Sequence, residues 1–119
     1  MNPVLIVEDN DEVREVLAEM LGAEGAEVAS AADGAEGFAR LNAFPRPCLV
    51  LLDLKMPVMD GIEFLRRRNG DPELARIPVI MLTGTSELAG REAELNFQGF
   101  VRKPFDPDLL MDLVRRHCD

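Results

Sequence analysis

Two apolar runs, each ending in acids, constrain this chain more than any other feature. Val4-Leu5-Ile6-Val7 leads into Glu8-Asp9, and Leu49-Val50-Leu51-Leu52 leads into Asp53. Short uninterrupted apolar runs predict strands buried on both faces of a parallel sheet. In open α/β sheets, chemistry gathers outside the carboxyl ends of the strands. Two such strands side by side would bring three acids to one edge. At ~4 Å and an effective dielectric near 20, each like-charge pair costs about 4 kcal/mol. A cluster this unfavourable does not serve stability, and it predicts a bound cation.

The 119 residues are enough for one full core and too few for two, so residues 1–119 are expected to form one domain. A net charge of −9 argues against nucleic acid or an anionic membrane as partner, since both need an electropositive surface. The basic run Arg66-Arg67-Arg68 reads as a solvated helix face. No apolar stretch is long enough to cross a bilayer, and the first strand follows Met1 too closely for a signal peptide. The two cysteines form no CxxC pattern. Cys48 reads as a small buried hydrophobe and Cys118 as an exposed free thiol, which predicts no disulfide and fits a reducing cytoplasm. The single histidine, His117, lies far from the acid-bearing strand ends, which argues against His-based triads and multi-histidine metal sites.

Strand and helix alternate five times. The first strand spans 3–8, and helix one covers about 10–22, with Val13, Val16, Leu17, Met20 and Leu21 forming one apolar stripe. A weak strand at 26–30 precedes a helix near 34–43, capped by Asp33 and anchored by Phe38, Leu41 and Phe44. Strand three is 48–53, helix three begins near Gly61, and a short helical turn is expected at 73–76. Strand four, 78–82, runs into Thr83. Helix four, about 86–96, is weakly encoded, because Gly90 in its interior costs about 1 kcal/mol against alanine. Strand five is 99–102. Asp106 caps the last helix with Pro107 at its first position, and Leu109, Leu110, Leu113 and Val114 form its buried face. A βα unit repeated five times predicts a parallel sheet with helices on both faces.

Four strand ends then carry reactive groups at one sheet edge: Glu8-Asp9, Asp53, Thr83 and Lys103. Each alone has an ordinary structural explanation, such as Glu8 or Asp9 capping helix one, but their joint arrangement matches phosphoryl transfer to an aspartate. A carboxylate can attack phosphorus to form an acyl phosphate. The incoming group is negative, so a cation must offset the repulsion. Mg²⁺ suits a site with few protein carboxylates. A lysine ammonium and a threonine hydroxyl can meet the remaining phosphoryl oxygens.

These residues, with the run Asp53-Leu54-Lys55-Met56-Pro57-Val58-Met59-Asp60-Gly61, Thr83-Gly84 and Lys103-Pro104-Phe105, give the chain its likeness. Over its whole length it resembles the receiver domain of two-component response regulators. The resemblance implies a flavodoxin-like (βα)5 fold with strand order 2-1-3-4-5. It implies Asp53 as phosphoacceptor, and Mg²⁺ held by Glu8, Asp9, Asp53 and the Lys55 backbone carbonyl. It also implies that Lys103 contacts the phosphoryl group, that Thr83 and Phe100 move as the switch, and that the Lys103-Pro104 peptide is cis. The implied partners are a histidine kinase or phosphotransfer protein as donor and a downstream protein bound through helix 4, strand 5 and helix 5. The segment between Thr83 and Lys103 departs from the family in being shorter than usual. No output segment follows the last helix, so the chain is expected to act by docking or as part of a longer protein.

Rival readings fit less well. A haloacid-dehalogenase-like phosphohydrolase needs a second acid two residues after its nucleophile, where this chain has Lys55. A flavodoxin-like cofactor binder needs a Ser/Thr/Gly-rich phosphate loop after strand one, where Glu8-Asp9-Asn10-Asp11 stands. The more serious rival is a receiver fold that docks independently of phosphorylation, and the chain is otherwise expected to be a signalling module, not an enzyme.

Overall fold

The computed structural model describes residues 2–118. Five strands alternate with five helices: β1 Val4–Val7, α1 Asp11–Ala23, β2 Val28–Ala31, α2 Gly34–Asn42, β3 Leu49–Asp53, α3 Gly61–Asn69, β4 Val79–Thr83, α4 Glu92–Leu95, β5 Gly99–Arg102 and α5 Pro107–His117. A 3-10 turn, Leu74–Arg76, precedes β4. Side chains that accept from orphan backbone N–H groups set the helix starts. Asn10 accepts from Val13, Asp33 from Glu36, Asp60 from Glu63, and Asp106 from Asp108 and Leu109. Pro107 lies at the start of α5, where its missing N–H costs nothing. The cap of α1 is therefore Asn10, and the acids Glu8 and Asp9 remain free for other work.

All strand pairs are parallel, in the order β2-β1-β3-β4-β5. Strand alternation divides the core in two. Leu5, Val7, Val50, Leu52, Val79 and Met81 face α2, α3 and α4, where Leu41, Phe64 and Leu95 meet them. Val4, Ile6, Leu49, Leu51, Ile80 and Leu82 face α1 and α5, where Leu17, Leu21, Leu110 and Val114 meet them. Burial on both faces explains why the runs in β1, β3 and β4 are continuous rather than alternating.

Several expectations need correction. The fourth helix is a single turn, Glu92–Leu95, instead of a helix over 86–96. Gly90 adopts φ +82, a left-handed conformation that turns the chain before the helix begins. Val16 is 61% exposed on α1 and lies outside the apolar stripe, while Leu109 is exposed on α5 and Met111 is buried in its stead. Phe44 is 81% exposed, with the Arg46 guanidinium 4.7 Å above its ring. Most important, Cys48 and Cys118 are joined by a disulfide across 70 residues of sequence, with Cα atoms 5.5 Å apart. Cys48 immediately precedes β3 and Cys118 caps α5. The parallel topology brings those two positions together, a proximity that linear spacing does not encode.

The basic run is also only partly solvated. Arg66 and Arg67 are exposed, but Arg68 is 0% exposed. Its Nε and Nη2 donate to the Ile77 carbonyl at 3.1 and 2.8 Å, Nη2 also to Ala75, and Nη1 to the Asn69 side chain and the Asn96 carbonyl. Burial lowers its pKa to about 10, still well above neutrality. The planar fork ties α3 to the turn before β4 and to the end of α4, a geometry lysine cannot copy. Arg68→Met should therefore strand several buried carbonyls and lower stability by about 3 kcal/mol. Urea denaturation would show this as a lower midpoint, with Arg68→Lys also below wild type.

Candidate functional site

Glu8 follows β1 directly and is fully buried, while Asp9 is exposed. Asp53 is the last residue of β3, the strand beside β1, and is also buried. Carboxylate oxygens of Glu8, Asp9 and Asp53 lie within 4.8 Å of one another. Two further elements complete the edge. Thr83 ends β4, and Lys103 follows β5 with its N–H donating to the Thr83 carbonyl at 2.8 Å. The Lys103 ammonium donates to Glu8 at 2.8 Å and to Asp53 at 3.4 Å. The Lys103–Pro104 peptide is cis.

Local contacts hold the acids in place. The Asn10 N–H donates to the Glu8 carboxylate at 3.2 Å, and Arg14 donates to the Glu8 carbonyl at 2.8 Å. A Cβ at Gly61 would lie 2.7 Å from the Asp53 carbonyl oxygen, so only glycine lets α3 begin this close to the end of β3. Between them, the Gly61 N–H donates to the Leu54 carbonyl at 2.8 Å and closes the loop. At the tip of this loop Val58 has φ +70 and is 83% exposed, and the Met59 N–H donates to the Pro57 carbonyl at 2.7 Å. A β-branched residue seldom adopts that conformation, so the closed loop imposes it.

A cleft of about 330 Å³ opens beside Asp53, lined by Lys55, Thr83, Thr85, Glu87 and Lys103. The Thr83 hydroxyl is engaged within its own turn, donating to the Thr85 carbonyl at 3.2 Å and accepting from the Thr85 N–H at 3.1 Å. Glu87 at the cleft rim accepts from the Thr85 hydroxyl at 3.2 Å. Sequence reasoning assigned Glu87 no role, and an acid in a region expected to be helical gave no signal for one. Phe100 lies on β5, half-buried against the core that faces α2, α3 and α4. Lys55 is exposed beside Asp53.

The electrostatics favour a cation. Burial, then hydrogen bonding and charge from Glu8, push the Asp53 carboxyl up to about 7 against the opposing pull of Lys103. Burial disfavours the Lys103 ammonium, but its hydrogen bond to Glu8 and the charges of Asp53 and Glu8 outweigh it and raise its pKa. Three hard oxygen donors this close suit Mg²⁺, whose opposite ligand oxygens stand about 4 Å apart. A carboxyl with a raised native pKa stabilises the fold while protonated, and that contribution is lost as pH rises through the native value. Without divalent cations, stability should therefore fall from about pH 4 to pH 7 through Asp53. Asp53→Asn should flatten this slope and melt a few degrees above wild type at pH 8, as thermal scans across pH would show. Parallel curves for the two proteins would refute the assignment.

Comparison with known proteins bears on this geometry. The family model described as response regulator receiver domain matches residues 4–115. Sporulation initiation phosphotransferase F of Bacillus subtilis (strain 168) is 35% identical over 114 residues, covering 96% of this chain and 91% of that protein. Regulatory protein AtoC of Escherichia coli (strain K12) is 36% identical over 118 residues, but this chain covers only 25% of its length. The structure of the chemotaxis protein CheY4 of Vibrio cholerae matches with a TM-score of 0.87 at 31% identity over 98% of each chain. The receiver domain of sensor histidine kinase PA1611 from Pseudomonas aeruginosa PAO1, solved with magnesium in its active site cleft, matches with a TM-score of 0.85 at 28% identity, over 98% of this chain and 96% of that one. By fold, sequence and the whole span of the match, the chain belongs to the response regulator receiver domain family of two-component systems.

Proposed function

We propose that this domain is a phosphorylation switch whose acceptor is Asp53. One observation carries the reading: a single ammonium, that of Lys103, bridges Glu8 and Asp53 where three carboxylates converge. Glu8, Asp9, Asp53 and the Lys55 carbonyl would hold Mg²⁺, which when bound neutralises charge on the phosphoryl group. An Asp53 carboxylate oxygen attacks phosphorus on a phosphohistidine donor. The new P–O bond forms as the P–N bond breaks, and the imidazole leaves with the electron pair. Lys103 stays within reach of the new dianion and shifts from Asp53 to it. The donor is a histidine kinase or phosphotransfer protein, which places the domain in the cytoplasm.

The readout follows from what the new charge displaces. Thr83 leaves its turn with Thr85 to donate to the phosphoryl group, and Phe100 takes up the space it vacates. The segment 84–91 would follow, since its backbone is held by turns such as Ala89 N–H to the Ser86 carbonyl at 3.0 Å and Leu88 is its buried anchor. This biases α4, β5 and α5 between two packings and so controls a protein partner. Any self-catalysed loss of the phosphoryl group belongs to the switch and is not turnover of a substrate. Residues 1–119 act as one receiver unit.

Intact-mass measurement after incubation with acetyl phosphate tests the reading. We expect a gain of one phosphoryl group that requires Mg²⁺ and is absent in Asp53→Ala. No gain under any condition would favour a receiver fold that docks without phosphorylation. Lys103→Ala should still accept the group but lose the partner response. An unchanged response in that variant would remove the lysine from the switch.

A further inference from the structure

We infer that Cys48–Cys118 is a reversible thiol–disulfide exchange site, open to a dithiol reductant, that sets the freedom of α5. The bond joins two segments that both lead to the phosphoacceptor edge. β3 runs from beside Cys48 to Asp53, and the segment from Lys103 through α5 ends at Cys118. The two reactive groups at one edge are thus covalently tied at the opposite edge.

Three observations favour exchange over a fixed staple. First, both sulfur-bearing residues line the wall of a cleft of about 460 Å³, together with Asn2, Glu27, Met111 and His117, so a reductant can reach them. Second, the reduced form is accommodated. The Asn2 and Pro3 carbonyls lie 3.4 and 3.5 Å from Cys48 Sγ, where a thiol, unlike the disulfide, has a proton to donate. Third, α5 does not depend on the bond for its seat, because Leu110, Met111 and Val114 are buried against the sheet. Opening the bond frees the chain after Val114, where among the described residues the exposed Arg115–Glu24 pair at 3.3 Å is a further tie. The inference also rests on the proposed cytoplasmic signalling role, since disulfides in that compartment are mostly transient or sensing.

The chemistry balances with a dithiol. One reductant thiolate attacks Cys118 Sγ, the S–S bond breaks, and Cys48 leaves as a thiolate that takes a proton. The second reductant thiol, as thiolate, then attacks the mixed disulfide and expels Cys118, which is protonated in turn. The reductant becomes a disulfide and the protein gains two electrons and two protons. Cys48 and Cys118 are the chain's only cysteines, so no internal reshuffling competes.

Alkylation of the full chain, read by intact mass, provides the test. After treatment with oxidised glutathione the protein should take no label, and after native dithiothreitol it should take two. A titration in glutathione buffers should show one reversible two-electron transition. Amide exchange at 115–118 should run about tenfold faster in the reduced protein and in Cys48→Ser, with the rest of α5 and the sheet unchanged. Two free thiols after oxidation, reduction only under denaturing conditions, or equal exchange in both states would each overturn the inference. Thiol labelling does not depend on Asp53. If the phosphoryl group fails to add in both redox states, the phosphoacceptor reading falls and the thiol result stands.

Discussion

One ammonium group among three carboxylates governs the carboxyl edge of this sheet. Glu8 and Asp53 are buried, and their mutual repulsion in a partly desolvated setting opposes folding. Lys103 answers both at once, and the Asn10 N–H takes up part of the Glu8 charge. Burial first, and then Glu8, outweigh Lys103, so the Asp53 carboxyl holds its proton far above the usual carboxylate range. The same deficit of positive charge makes the site receptive to a hard cation, and in the proposed transfer Lys103 would be the partner of the arriving dianion.

The remaining structure aims these groups. Strand order places β3 between β1 and β4, so Asp53 has the Glu8 side of the edge on one flank and Thr83 on the other. The absence of a side chain at Gly61 lets α3 begin against the Asp53 carbonyl. Arg68 fastens α3 to the segments before β4 and β5 through backbone carbonyls, with no carboxylate partner among the described residues. Beyond the end of β4, order thins: 84–91 holds only turns, and α4 is one helical turn. Regular structure under the acids and turns pinned by the buried Leu88 after Thr83 fit the proposed switch at this edge.

The opposite edge carries a different constraint. There the disulfide links the start of β3 to the end of α5, closing through the sheet a path whose two far ends meet at Asp53 and Lys103. A covalent tie at one edge and an electrostatic tie at the other bracket the same two segments. In the proposed exchange, redox chemistry would set the freedom of the end of α5, while Lys103 ties the segment before α5 by charge.

Much of this was legible in the linear chain. Continuous apolar runs, caps at Asp33 and Asp106, and acids at strand ends determine the number of units, the parallel sheet and the edge at which chemistry collects, because they act through local backbone geometry and burial. Helix four was not legible: its faint apolar pattern matches a helix, while Gly90 at φ +82 breaks it. Arg68 and Cys118 were misjudged for a common reason. A run of arginines looks solvated until three carbonyls from distant segments converge on one of them. A cysteine near the end of a helix looks free until the sheet brings position 48 to it. The sequence alone determined which residue types stand at each strand end. Only tertiary structure decided which of them meet, because hydrogen-bond satisfaction of a buried cation and the closing of a bond across 70 residues depend on distances that chain order does not carry.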